Sequence, residues 1–224
     1  MDAQNEQIQR LMALDTCAVS DALEKWGLKG TVLGIRPMWS CPRIAGRVVT
    51  IKIKPVSLTR PTQHLCTPAI HAATQGDVLV VDNAGRMDVA TWGGILTTAA
   101  KVKGIQGVVI DGACRDLDES RELGFPVYAR TAVPVTARGR IMQESFNEEI
   151  QCGGVAVLPG DLVIADGSGV VFVPFAHAAE VIAEAEGIAL REQKMAEGIR
   201  AGRSVVEVME SMQYESMTEA GEES

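Results

Sequence analysis

Apolar positions along the chain switch between two periods. In residues 4–26 they recur at helical spacing. Ile8, Leu11, Met12 and Leu14 share one face, and after a break Val19, Ala22, Leu23 and Trp26 share another. Thr16 is placed to cap the second helix and Gly27 to end it. Residues 44–54 alternate instead and predict a strand closed by Pro55. Residues 56–75 are mixed, with a short helix expected near 68–74. The run VLVVD at 78–82 is apolar at consecutive positions, as a strand covered on both faces requires. Residues 88–104 predict a loop and a helix ending at Gly104. Residues 105–111 predict a second buried strand, 116–123 a short helix and 126–130 a third strand. Strand, helix, strand, helix, strand is the order of a partly parallel α/β layer. Residues 152–173 place short Val-rich strands between the turns PGD and DGSG, an antiparallel or mixed sheet closed on itself or packed on the first. After Pro174 the helical period returns in Ala178, Val181, Ile182, Ala185, Ile188 and Ala189, and the helix runs toward Arg200.

Composition narrows what such a fold can serve. Of 224 residues, 46% are apolar and 22% charged, enough apolar material for a real core. No repeat or long linker forces a second domain, so residues 1–205 are expected as one domain and 206–224 as an acidic, partly disordered tail. A net charge of -8 argues against a broad basic face for nucleic acid, and four Phe, three Trp and two Tyr leave little for base stacking. Cys17, Cys41, Cys66, Cys114 and Cys152 are far apart and form no CxxC pair. No stretch approaches the roughly 18 apolar residues of a membrane span, and the start MDAQNEQIQR lacks the apolar run of a secretory signal. The expectation is a cytoplasmic protein without nucleic-acid or membrane partners.

Candidate chemistry concentrates at the ends of the α/β strands, where ligands bind in open sheets of this kind. DGACRD, Asp111 to Asp116, ends a buried strand. Arg115 offers a planar fork for a carboxylate and Asp116 a hard oxygen ligand for magnesium or manganese. The plain alternative is a surface Arg115 paired with Asp118 or Glu119. WGGILTT, Trp92 to Thr98, opens a helix on a glycine pair, so the N–H groups of Gly94, Ile95 and Leu96 are free to face an anion. A tight turn is the competing reading, and neither GxGxxG nor GxxxxGK[ST] is present. His64 and His71 would share a helix face but lack a third zinc ligand, and no serine stands in a GxSxG frame.

GVVIDGACRD, with WGGILTTAA before it and LPGDLVIADGSGVVFVP after it, resembles the RraA-like family over roughly residues 15–205. VSDAL at 19–23 and AGRSVVEV at 201–208 resemble the family's ends. That family includes divalent-metal-dependent pyruvate aldolases acting on 4-hydroxy-4-methyl-2-oxoglutarate and 4-carboxy-4-hydroxy-2-oxoadipate. It also includes regulators of ribonuclease E and members labelled as menaquinone methyltransferases; no glycine-rich nucleoside-binding loop supports the last label here.

The resemblance implies a layered α/β/β fold of the phosphohistidine-swivelling type. It implies a homotrimer or homohexamer with the active site between subunits, magnesium or manganese as cofactor, and a small 2-oxo acid as substrate. Carried over, Arg115 grips pyruvate and steadies its enolate, Asp116 ligates the metal, and amides in the loop Gly93, Gly94, Ile95 and Leu96 hold the carboxylate. Glu192 of the C-terminal helix would reach the neighbouring site, with Glu197 as fallback. The aldolases often carry an acidic residue where this chain has Gly94, and an Asp near the stretch that here reads QHLCTPAIH. The function implied is cleavage of a 4-hydroxy-2-oxo di- or tricarboxylic acid to pyruvate and a second oxo acid, with oxaloacetate decarboxylation as a side activity. A non-enzymatic ribonuclease E type regulator, or another metal-dependent reaction on a 2-oxo acid, is the alternative.

Overall fold

Alternate residues of the central strands are buried on both sides, and the architecture follows from that. A computed structural model describes residues 3–57 and 64–211. Two helices, α1 (Ala3–Ala13) and α2 (Thr16–Lys25), lead into the short strands β1 (Thr31–Val32) and β2 (Arg36–Pro37), then β3 (Ile44–Pro55) and α3 (Thr67–Ala72). The middle of the chain gives β4 (Val78–Trp92), α4 (Gly94–Lys103), β5 (Gly107–Cys114), α5 (Leu117–Glu122) and β6 (Val127–Ala132). There follow β7 (Ile141–Phe146), β8 (Ile150–Cys152), β9 (Val155–Val157), β10 (Leu162–Ala165), β11 (Val170–Val173), α6 (Ala178–Arg200) and α7 (Val205–Ser211).

Nine strands join in one sheet of order β1-β11-β10-β3-β4-β5-β6-β2, with β7 also paired to β3. Strands β3 to β6 are parallel neighbours, and β10 and β11 join antiparallel. Strand β3 links the two halves, pairing β10 through residues 44–47 and β4 through 48–52. The sheet folds over itself around this strand. Val78, Val80, Val109 and Tyr128 from one half meet Val163, Ala165, Val170 and Phe172 from the other in an inner core. The opposite face of the parallel half, Leu79, Val81, Val108 and Ile110, packs on Ile70 of α3 and on Leu96 and Ala100 of α4. The opposite face of the other half, Leu162, Ile164, Val171 and Val173, packs on α1, α2 and α6. The expected α/β/β layering is present, and α1, α2 and α6 add an outer helical layer over the second sheet face.

Several local expectations change. Asp15, not Thr16, caps α2: its backbone is extended and its carboxylate accepts the Ala18 N–H at 2.9 Å. Residues 88–92, expected as the start of a loop, and the unassigned residues 83–87 both continue β4. The pairing slips between Asp82 and Arg86 and again on either side of Ala90, so a 15-residue strand runs beside an 8-residue one and hides its period. IMQESF of β7 has too few apolar positions to announce a strand. Val205–Ser211 form α7 with Val208 buried, while residues 212–224 lie outside the described residues.

Candidate active site

Trp92 and Cys114 end adjacent parallel strands, and the chain turns there twice into a helix. Arg115 N–H donates to Trp92 O at 2.9 Å, so the two turns lie side by side. A buried chain of hydrogen bonds runs beneath them. Trp92 Nε1 donates to Thr97 Oγ1 at 2.9 Å, Thr97 Oγ1 meets Ser120 Oγ at 3.3 Å, and Ser120 Oγ donates to Asp116 O at 3.2 Å. Trp92 also stacks on Phe125 with ring centroids 6.1 Å apart. Each polar atom in this seam finds a partner, as burial demands, and the seam fixes α4 against α5.

The first turn of α4 needs glycine for space. Gly93 caps α4 with extended backbone, and a Cβ on it would stand 2.5 Å from Asp116 Oδ2 and 3.1 Å from Arg115 Nε. Gly94 N–H donates to Asp116 Oδ2 at 2.9 Å. The Ile95 and Leu96 amides, which have no intrahelical partner at this position, meet no acceptor among the described residues. A side chain on Gly94 would overlap the Glu119 carboxylate. Glu119 therefore fills the place where the resemblance leads one to expect an acidic residue at 94.

Asp116 is the cap residue of α5 yet does not cap it. Its backbone is left-handed, at φ 58, and its carboxylate turns to Gly94 and to Arg115 Nε, 3.3 Å away. A non-glycine residue in that region carries strain, of order 1–3 kcal/mol, that clusters at functional sites. Asp116 Oδ1 has no partner among the described residues. Arg115 pairs with neither Asp118 nor Glu119; Asp118 pairs with Arg121.

These groups border one cavity of about 390 Å³. Its lining includes Trp92, Gly93, Gly94, Ile95, Leu96, Arg115 and Asp116, and from elsewhere His64, Thr67, Thr136 and Arg138. The volume lies in the range of small-molecule sites, about 300–1,000 Å³. Asp111, the first acidic residue of the motif, is structural: its buried carboxylate pairs with Arg130 and accepts Gly153 N–H at 2.7 Å. Cys114 and Cys66 beside the cavity have thiols pushed up to about 12 by burial, so they are not thiolates at neutral pH.

Glu192 does not line the cavity of its own chain. It lies on α6, which packs with α2, and its carboxyl is pushed up by burial and then by the charges of Asp15 and Asp21. Glu197 accepts a hydrogen bond from Gln193 at 2.9 Å and is exposed. Sequence reasoning missed Glu119 as a site group and the wall at Thr136–Arg138. Glu119 had a signal: it stands three residues after Asp116, in the first turn of the helix Asp116 opens. The wall had none, since nothing local in 133–140 says which strand ends it crosses.

The family model RraA-like, described as Aldolase/RraA, matches residues 16–172. The Legionella pneumophila protein DlpA is 28% identical over 214 residues, covering 96% of this chain but 35% of that protein; the chain thus spans about a third of its length. The 4-hydroxy-4-methyl-2-oxoglutarate aldolase of Thermus thermophilus is 33% identical over 132 residues, 59% of this chain and 76% of that one. Among solved structures, an uncharacterized protein from Pseudomonas syringae superposes with a TM-score of 0.83 at 31% identity, covering 91% of this chain and 96% of that chain. RraAS2 of Streptomyces coelicolor, of the RNase ES inhibitor RraA family, gives 0.75 at 26% identity, covering 88% and 96%.

Proposed function

The chain belongs to the RraA-like family, and we propose that within it this protein is a divalent-metal-dependent lyase. It cleaves a 4-hydroxy-2-oxo di- or tricarboxylic acid to pyruvate and a second oxo acid. The observation that carries this reading is the meeting of open α4 amides, the Arg115 fork and the Asp116 carboxylate on one cavity.

The donor set suits magnesium or manganese. Either ion keeps several waters and is bound through one or two carboxylates plus substrate oxygens. Asp116, with Oδ1 unengaged, supplies the direct ligand, and Glu119 stands over the same turn to hold water. The described residues contain no group of three or more metal-ligating side chains of the sort structural zinc uses. When bound, the metal supplies Lewis-acid polarisation of the 2-oxo group.

The chain's own groups do the rest. The Ile95 and Leu96 amides, at the positive end of α4, hold the substrate carboxylate. Arg115 pairs with the keto oxygen and strengthens as negative charge grows there, which lowers the barrier to carbon–carbon cleavage. Glu192 of a neighbouring copy moves the 4-hydroxyl proton through water. Its raised carboxyl suits a group that must both take and return a proton. Oxaloacetate decarboxylation places charge on the same oxygen and is expected as a side activity.

The neighbouring copy is supported by the outer face of α4. Ile95, Thr98, Ala99 and Val102 form an apolar row beside the cavity, with Ile95 and Val102 more than four-fifths exposed. Light scattering should give a mass of three or six chains, and a single 23.9 kDa species would remove Glu192 from the mechanism.

A second reading, a regulator that binds a ribonuclease, is favoured by the likeness to RraAS2. Pyruvate release, coupled to NADH oxidation by lactate dehydrogenase, separates the two. Wild-type protein with magnesium or manganese should release pyruvate from 4-hydroxy-4-methyl-2-oxoglutarate, 4-carboxy-4-hydroxy-2-oxoadipate or oxaloacetate. Release from none of the three would sink the lyase and raise the regulator.

A further inference from the structure

We propose that Arg138 is the specificity residue of the cavity and receives the carboxylate at the far end of the substrate. This rests on the lyase reading of the same cavity and goes beyond it by assigning the distal contact.

The connection between β6 and β7 runs across the ends of β5 and β4. Val133 N–H donates to Cys114 O at 2.9 Å, and Ala90 N–H donates to Val135 O at 3.0 Å. Beyond that point the connection turns back on itself. Arg140 N–H and Ile141 N–H donate to Ala137 O at 2.9 and 3.1 Å, and Arg140 Nη1 donates to Thr136 O at 3.2 Å. Arg138 N–H donates to Thr136 Oγ1 at 3.3 Å. Backbone bonds on both sides thus hold Thr136, Ala137 and Arg138 as a wall of the cavity that also holds Arg115 and Asp116.

Charge then decides what the wall accepts. Of the two arginines among the described residues lining the cavity, Arg115 pairs with Asp116, whereas the Arg138 guanidinium has no carboxylate among the described residues. Asp116 is the one carboxylate among the described residues lining the cavity, and it is engaged with Arg115. In a chain of net charge -8, the described residues leave the cavity with one uncompensated guanidinium. A planar fork of that kind matches a carboxylate with two parallel hydrogen bonds. The α4 amides and Arg115 take the 2-oxo acid end, so the partner for Arg138 is a second carboxylate on the same substrate.

Isothermal titration of the full chain with magnesium tests this with two ligands of equal length, 2-oxoglutarate and 2-oxopentanoate, which differ in the distal carboxylate. Wild type should bind the diacid about tenfold more tightly, the lower end for a hydrogen bond to a charged group because Arg138 is exposed. That preference should shrink as salt is raised. Arg138→Gln should reduce it to about twofold or less while the monoacid Kd moves less than about twofold, and Arg138→Lys should fall between. Equal binding of both ligands by wild type, or a preference that persists in Arg138→Gln, removes the role of Arg138 and leaves the lyase reading intact. Binding of neither ligand overturns both.

Discussion

The starts of α2 and α4 solve the same problem in opposite ways. A helix start leaves N–H groups without intrahelical acceptors. In α2 the chain closes them itself: Asp15 accepts from Ala18 N–H, and Asp166 accepts from the Thr16 amide and hydroxyl at 2.9 and 2.7 Å. In α4 the cap is Gly93, which has no side chain to offer, and Ile95 and Leu96, whose amides meet no acceptor among the described residues, line a cavity. The carboxylate nearest to α4, Asp116, belongs to the next turn and leaves its own helix uncapped to reach there. A closed start stabilises the fold. An open start with an arginine beside it suits the proposed carboxylate site, and the buried seam of Trp92, Thr97 and Ser120 holds it in place.

If the difference is functional, changes at the two starts must separate activity from stability. The largest effect should come from Asp116→Ala, which removes the proposed metal ligand: pyruvate release should vanish, as it should on chelation of the wild type, with magnesium or manganese restoring only the latter. Activity surviving exhaustive chelation would refute the metal. Glu119→Gln keeps shape and loses charge, so activity or metal affinity should fall about 10–100-fold, the usual range for groups behind a ligand. An unchanged magnesium titration would leave Glu119 a filler of the space over Gly94.

At the closed start the readout inverts. Asp15→Ala should cost about 1 kcal/mol of stability, a fall of about 2–4 °C in Tm, with far less loss of turnover than Asp116→Ala. The smallest effect is a pH effect. The Glu192 carboxyl is raised by burial first, then by Asp15 and Asp21. A carboxyl raised on folding favours the protonated state, so its contribution is present below the unfolded value and is lost as pH rises through the folded one. Glu192→Gln should therefore raise Tm slightly at pH 7, with the gain disappearing below about pH 4. A gain that is the same at both pH values would mean the charge is not its cause.

How far the sequence discloses this follows from which features are local. Val78–Val81 and Val108–Ile110 read as strands buried on both faces because every position is apolar, and they are. Arg115, Asp116 and the Gly93–Gly94 turn could be named because each lies in a short motif at a strand end, and one cavity holds them. Residues 83–87 gave no signal and 88–92 read as loop because slipped pairing erases the alternation. The overlap of Glu119 with the space over Gly94 joins the first turns of two helices, 25 residues apart, and the segment leading to Arg138 is held at the cavity by Val133 N–H on Cys114 O and Ala90 N–H on Val135 O. Such contacts leave no period for a sequence to display. The role proposed for Glu192 rests on a second copy of the chain, so no pattern within one chain displays it.

The proposed cleavage turns on Arg115, whose fork must pair more strongly with the transition state than with the bound substrate. Steady-state pyruvate release should be measured for wild type, Arg115→Ala and Arg115→Lys with saturating magnesium. The predicted result is a loss in kcat of about a hundred- to a thousandfold for Arg115→Ala, as for removal of an oxyanion donor, with Arg115→Lys recovering part of it. Turnover by Arg115→Ala at the wild-type rate would contradict the account.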